Sequence, residues 1–406
     1  MKVKKARHHL LGNQEWAARS SKKFIPFVNN FCPRRSLDTS RFVNYFIANG
    51  WQPTRHISEA DLIFIYSCGC FMSSEKRTLN TIRTAMEQKS PQAKIVVTGC
   101  LIKINKDVLR GDYEVLPVEK FNDLDAIITA KQKLESFTDA NIIHPMRDLI
   151  SPRKFLVNKF KMDVEFSRLF FRKVKSLFFG RTKYKNTWNI KIANGCMGDC
   201  TYCAVRIAAG RVKSKAPDEV IREFKQGLKQ GADTFVLINN DVGSYGQDIG
   251  TNIAELLQIL LAVDGAFKLR IIDLNPRWLI RYFDILLPLL KRHQDKIAYL
   301  SMPVQSGSNR MLEKMHRHYT IEEITHCFST LQTEIPGLVI NTHFIVGFPG
   351  ETEHDFQLTR EFAQSIKFGR ISIHPYNDRP KTPSSRMEGK VDQKTIFKRY
   401  RALLSP

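Results

Sequence analysis

From Trp188 onward the chain repeats one unit, an apolar run of strand length followed by a helical pattern. Strands are expected at Trp188 to Ala193, Thr234 to Ile238, Leu269 to Asp273, Ile297 to Pro303, Val339 to Val346 and Ile371 to Pro375. Between them apolar residues recur three and four apart, as in Val220-Ile221-Phe224-Leu228 and Ile253-Leu256-Leu257-Leu260, the spacing that puts one stripe on a helix. Pro217 followed by Asp218 and Glu219 reads as a helix first turn, and Thr352 with Asp355 as a capping box. Six strand-helix periods imply a parallel sheet rolled into an incomplete (β/α)6 barrel.

The amino-terminal part alternates in the same way on a smaller scale. A helix is expected around Leu37 to Asn49, a strand over Asp61 to Tyr66, a helix from Ser74 to Gln88 and a strand over Lys94 to Thr98. Short apolar strands with helices between them fit an open α/β sheet covered on both faces. The expected organisation is an α/β unit over 24–135, a basic aromatic linker over 136–186 and the barrel over 187–406. The linker carries Arg153-Lys154-Phe155, Lys159-Phe160-Lys161, Leu169-Phe170-Phe171-Arg172-Lys173 and Leu177-Phe178-Phe179. Its apolar spacing suggests an amphipathic helix packed on a domain, with an RNA or peptide contact surface or an interfacial membrane helix as the alternatives.

Cysteines supply the chemistry. Cys196, Cys200 and Cys203 lie in Gly195-Cys196-Met197-Gly198-Asp199-Cys200-Thr201-Tyr202-Cys203, just after the first barrel strand. Three thiolates at that spacing can hold three corners of a four-iron, four-sulfur cluster and leave one iron for a substrate or cofactor. A structural zinc site wants four closed ligands, and no fourth Cys or His stands at the usual short spacing, which leaves a distant His as the zinc alternative. Thiols so close make strained disulfides, and eight cysteines without a sign of export suit metal ligands and core thiols. Cys32, Cys68 and Cys100 stand at strand or turn ends of the smaller sheet, where ligands gather in open α/β folds. Cys327 lies inside a helical pattern as a core thiol.

The 406 residues carry 63 Lys and Arg against 40 Asp and Glu, a net charge of +23. That balance suits a polyanion such as RNA, an acidic peptide or an acidic electron donor, or simply a solvated surface. The basic amino terminus is followed by polar residues, and no apolar run reaches bilayer length. A cytoplasmic protein without stable membrane insertion is the expectation.

Further segments recur in order: Ala60-Asp61-Leu62 through Ser67-Cys68, Val97-Thr98-Gly99-Cys100, Val242-Gly243-Ser244-Tyr245-Gly246, Pro303-Val304-Gln305-Ser306-Gly307-Ser308, Ile345-Val346-Gly347-Phe348-Pro349-Gly350-Glu351-Thr352 and Arg379-Pro380-Lys381-Thr382-Pro383. With the cysteine run, these make the chain from Phe31 to about Leu404 resemble the radical S-adenosylmethionine methylthiotransferases, which modify tRNA adenosines or a ribosomal-protein aspartate. The resemblance implies that Cys196, Cys200 and Cys203 ligate a radical cluster whose free iron binds S-adenosylmethionine, cleaved to a 5′-deoxyadenosyl radical. It implies a second cluster on Cys32, Cys68 and Cys100, also with one open iron, and leaves Cys70 as an alternative ligand or an unrelated thiol. By motif position Asn240, Asp241, Tyr245, Gln305 and Ser306 would contact S-adenosylmethionine; Tyr245 and Ser306 would equally serve to hold turns. Arg211, Lys213 and Lys215 are candidates for raising cluster potentials, or for a solvated loop.

The implied activity is insertion of a methylthio group at an unactivated carbon-hydrogen bond, with two clusters, two molecules of S-adenosylmethionine and an acidic flavodoxin or ferredoxin type donor. The alternatives are a radical enzyme of different outcome, such as sulfur insertion without methylation or epimerisation, and a non-catalytic iron-sulfur RNA-binding protein. The chain departs from the family at Arg206 and Ala209-Gly210, where Pro and then Arg-Gly are usual, and at Asn239-Asn240, where Gly-Gln is usual. The small carboxyl-terminal β-barrel (TRAM) of the family is not matched, which tilts the expected substrate slightly from tRNA toward a peptide or protein.

Overall fold

The computed structural model describes residues 22–28, 32–143 and 186–404. Most of the basic aromatic stretch, including every run named above, lies outside the described residues, as does Phe31.

The first sheet is parallel throughout, in the order β2-β1-β3-β4-β5. Its strands are β1 (Lys23–Val28), β2 (Gln52–Pro53), β3 (Leu62–Ser67), β4 (Lys94–Gly99) and β5 (Glu114–Leu116). Side chains alternate between faces. Phe24, Leu62, Phe64, Tyr66 and Val96 form one apolar cluster with Phe42, Val43, Tyr45 and Phe46 of helix α1 (Pro33–Ala48). Ile25, Ile63, Ile65, Ile95 and Val97 form another with Ile82 and Ala85 of α2 (Met72–Gln88). A strand apolar at every position is what a sheet covered on both faces requires. The strand order reverses between β1 and β3, so their carboxyl ends open a crevice there. Cys32 precedes α1 in that crevice and Cys68 follows β3. Cys100 follows β4 and starts the short helix α3 (Leu101–Ile104).

The second sheet is also parallel and runs in the order β13-β12-β11-β10-β9-β6. Its strands are β6 (Thr187–Lys191), β9 (Thr234–Ile238), β10 (Lys268–Ile271), β11 (Ile297–Gln305), β12 (Ile340–Val346) and β13 (Arg370–Pro375). A small antiparallel pair, β7 (Ala193–Asn194) and β8 (Lys213–Ser214), brackets the cysteine run. Neighbours in space are neighbours in sequence, and β6 and β13 are the free edges, the arrangement of an incomplete barrel. Phe235 and Leu237 of β9 face the helical layer in the largest core. Val236 and Ile238 face the other way and pack with Leu37 of α1, so the first unit covers the inside of the second. Pro217 occupies the first turn of its helix (Pro217–Lys229), and Thr352 and Asp355 exchange both bonds of a capping box.

Ion pairs fasten the two units. Lys191 of β6 pairs with Asp38 of α1 at 2.9 Å and with Asp139 at 2.7 Å. At the other edge Arg379 pairs with Glu75, and Met72 N donates to Asn377 Oδ1 at 2.8 Å. Against its burial, Lys191 and then Arg35 hold the Asp38 carboxyl well below the usual carboxylate range. No helix of the described residues is long and apolar enough to cross a membrane.

Candidate functional site

Two groups of cysteines meet where the carboxyl ends of the two sheets face each other. In each group one cysteine directly follows a glycine in the left-handed region, Gly99 at φ +104° before Cys100 and Gly195 at φ +84° before Cys196. Neither glycine has room for a side chain: a Cβ would stand 2.4 Å from Ser67 O at Gly99 and 2.0 Å from Arg211 O at Gly195. The backbone thus turns sharply off each strand end and presents the next thiol.

In the amino-terminal group Cys68 and Cys100 are buried and Cys32 and Cys70 half-buried. The Cys68 amide donates to Thr78 Oγ1 at 3.2 Å and the Cys100 amide to Ser67 O at 3.1 Å. The neighbouring thiols of Cys100 and then Cys68, followed by burial, push Cys70 well up. The neighbouring Cys70, then the charges of Arg35 and Arg34, outweigh burial and pull Cys100 down to about 6. Arg35 is oriented by Asp38 at 2.8 Å and Tyr66 Oη at 3.0 Å. Arg34 donates to Asn239 O of the barrel unit at 2.8 Å, and its charge is felt by Cys32, Cys70 and Cys203, so it stands between the groups.

In the barrel group the Gly198 amide donates to Cys196 Sγ at 3.1 Å, and the Cys196 thiol reaches Asp241 Oδ2 at 3.9 Å. Burial and then the Asp241 charge push Cys196 up to about 12. Buried Arg317 donates through Nη1 to Cys200 Sγ and Tyr202 Oη, both at 3.3 Å, through Nη2 to Pro303 O at 2.6 Å and through Nε to Tyr319 Oη at 3.2 Å. Asp199, inside the cysteine run, binds His318 Nε2 at 2.7 Å and His316 Nδ1 at 3.4 Å. The loop of three thiols is therefore held at several points before any cofactor arrives.

Cys203 directly precedes helix α4 (Ala204–Ala209) as Cys100 directly precedes α3, and the two helices pack on each other. Cys100 and Ile104 share an apolar cluster with Ala204 and Ala208, joined by Cys70 and Ile207. One thiol from each group thus sits at the start of a helix in a common packing unit.

Among the described residues no three His, Cys, Asp or Glu side chains converge as the ligands of a single metal ion do. A cubane differs in taking each thiolate at its own iron corner. The donors fit one: three thiols per group, amide and guanidinium N–H groups aimed at sulfur, and cationic side chains beside both groups. At Gly198 a Cβ would stand 3.2 Å from Cys196 Sγ and 3.7 Å from Cys200 Sγ, so the missing side chain leaves a cradle between two thiols.

The expected S-adenosylmethionine contacts fall into two sets. Asn240 gives Oδ1 to the Gly195 amide at 3.2 Å while its buried Nδ2 has no protein partner, and Gln305, at φ +84° on the carboxyl end of β11, has a buried unpartnered Oε1. These free polar atoms at strand ends suit the amino acid moiety of such a ligand. Asp241 lies beside Cys196 but is committed to the Gly243 and Asn275 amides, both at 3.1 Å, and to Trp278 Nε1 at 2.8 Å. Tyr245 donates to Lys215 O in the helix-side core, and Ser306 contacts Thr359 and the Ser308 amide. The loop cations do not gather at sulfur. Arg211 and Lys213 are exposed, and Lys215 is taken by Glu223 at 2.6 Å. Arg317, Arg34 and Arg35 stand at the thiols instead. The signal for Arg317 was an arginine between histidines and a tyrosine, His316-Arg317-His318-Tyr319, directly after a short helix.

Two family models match the chain, one described as Radical SAM superfamily over residues 190–363 and one described as Uncharacterized protein family UPF0004 over residues 27–117. The chain is 31% identical over 360 residues, 88% of this chain and 77% of the relative, to a probable threonylcarbamoyladenosine tRNA methylthiotransferase of Pyrococcus horikoshii. It is 28% identical over 417 residues, 99% and 81% of the two chains, to the ribosomal protein uS12 methylthiotransferase RimO of Protochlamydia amoebophila. A solved structure of TsrM, a radical S-adenosylmethionine methyltransferase of Kitasatospora setae, is alike in fold with a TM-score of 0.56 at 13% identity, covering 90% of this chain and 77% of that one.

Proposed function

The chain belongs to the radical S-adenosylmethionine methylthiotransferase family, and from that premise we propose that it inserts a methylthio group at an unactivated carbon-hydrogen bond, using two four-iron clusters and two molecules of S-adenosylmethionine. The observation that carries the reading is the packing of α3, which directly follows Cys100, on α4, which directly follows Cys203. Cys196, Cys200 and Cys203 would hold the barrel cluster, and Cys32, Cys68 and Cys100 the other. When bound, the clusters and S-adenosylmethionine supply one-electron chemistry and a site for sulfur.

The chain's own residues orient and exclude. Arg317 fixes Cys200 and screens its charge, Asp241 buttresses the Cys196 turn, and Asn240 and Gln305 offer polar atoms to the ligand. Leu37, Val236 and Ile238 close the inner face of the barrel against water.

Of the two substrate classes named for the relatives, we take tRNA first. The relatives with higher identity are named for tRNA, and a net charge of +23 supports a polyanion. This reverses the slight lean toward a peptide. Mass spectrometry of tRNA and ribosomal proteins from a strain lacking the chain tests it: a methylthio group lost from a tRNA nucleoside supports the reading, and both pools unchanged rejects it.

A further inference from the structure

The amino-terminal group holds a fourth thiol that the proposed function does not use. Cys70 is two residues from Cys68, in the stretch after β3 and before α2. Its side chain packs with Cys100 against Ala204, Ala208 and Ile207, and it lies near enough to Cys68 and Cys100 for both to act on it. The intervening Gly69 lets this stretch lie against α3, because a Cβ there would stand 3.0 Å from both Leu101 Cα and Leu101 Cδ1. Cys70 is therefore directed into the group by close backbone packing.

We propose that Cys70 is a displaceable fourth thiolate of the amino-terminal cluster, closing in the resting protein the iron corner that the sulfur to be transferred must reach. Two points support it. A thiol packed beside Cys100 and two residues from Cys68 is placed to serve as a fourth ligand to the cubane that the triplet would hold. The guanidiniums of Arg34 and Arg35 beside the group balance the added negative charge that a fourth thiolate brings to an oxidised cluster. Opening is a ligand exchange with no change of oxidation state. The iron to Cys70 sulfur bond breaks, an iron to incoming sulfur bond forms, and the proton released by the incoming thiol is taken up by the departing Cys70 thiolate.

The inference rests on the two-cluster reading, and the experiment separates them. Full-length protein in which Cys196, Cys200 and Cys203 are alanine is reconstituted anaerobically, with and without Cys70→Ala, and methanethiolate is titrated while the reduced cluster is followed by electron paramagnetic resonance. Iron content comes first: if the variant with Cys70 present takes up no cluster, the two-cluster reading fails and this proposal with it. With a cluster present in both, the expected result is a resonance that shifts at on the order of tenfold or more lower methanethiolate in Cys70→Ala, because an attached competitor has been removed. The cluster's midpoint potential should also rise in that variant, as one negative ligand is lost. Equal titration midpoints and equal potentials overturn the proposal. So does loss of the cluster in Cys70→Ala but not in Cys68→Ala, which would make Cys70 one of an obligatory three. Cys70→Ser, of nearly equal size, guards against a folding defect and should behave as Cys70→Ala does.

Discussion

The two thiol groups look alike in sequence and differ in surroundings. The amino-terminal group lies in the crevice of an open sheet, where the neighbouring Cys70 and then Arg35 and Arg34 draw Cys100 down to about 6. The barrel group lies beside a buried carboxylate, Asp241, with Arg317 on the far thiol, and its Cys196 is driven up to about 12. One site is set to hold negative charge before metal arrives, and the other keeps its thiol protonated until a metal displaces the proton. The lesson is that cysteine spacing selects a cluster, while the neighbouring charges decide how each site is loaded and tuned.

The largest expected effect tests whether the groups divide the chemistry. Cys196→Ala should reduce 5′-deoxyadenosine formation to background, whereas Cys68→Ala should leave that cleavage running and abolish methylthiolated product. A Cys68→Ala enzyme that still yields thiolated product would erase the distinction.

Arg317→Met comes next. It removes a buried guanidinium with four partners, including Cys200 Sγ and Tyr202 Oη, and should destabilise the barrel half by about 2 kcal/mol. In reconstituted protein the barrel cluster's potential should fall while the amino-terminal one stays put. Arg317→Lys should recover part of the potential without the fork geometry. Equal shifts at both clusters would show that the arginine acts on the whole chain.

A third comparison uses pH on metal-free protein. Cys100 is depressed from 9.0 to about 6, so its stabilisation is present above pH 9 and is lost as pH falls through 6, at most about 4 kcal/mol. Cys196 is raised from 9.0 to about 12, so its contribution is complete below pH 9 and is lost only as pH climbs toward 12. Between pH 6 and 9 hydrogen exchange should therefore slow with rising pH in α3 and β4 and stay flat, after correction for intrinsic rates, around β6. Parallel slopes in the two regions would contradict the assigned charges.

The smallest effect is Gly198→Ala. The added Cβ, 3.2 Å from Cys196 Sγ, forces a slight shift of that thiol at about 1 kcal/mol, and should alter the resonance line shape of the barrel cluster alone.

The fold was legible where both faces of an element carry apolar side chains or a cap is explicit. Thr234–Ile238 and the Thr352 capping box are examples. β1 was not legible, because Pro26 interrupts a strand between two neighbours. The structure explains it: β2 pairs only as far as Phe24, so Pro26 faces an edge with no ladder to break. The six ligand candidates come from spacing in the barrel group and from the family resemblance in the other, and the structure adds the surroundings of each thiol. The arginines at sulfur were not legible, since Arg35 acts on Cys100 within the first unit and Arg317 meets Cys200 within the barrel, contacts between positions far apart in sequence that no local pattern encodes. The contact of Cys70 with Cys100 was hidden for the same reason, being made across thirty positions of chain.

Asp38 is gripped by a cation from each half, Arg35 on its own helix and Lys191 across the junction. That clasp consists of protein alone and is laid down at folding. The halves are thus held in register by side chains of the protein itself, with no metal in the clasp. Changing the length of chain between the halves would leave the reach from one thiol set to the other as it is, for as long as the clasp stays shut.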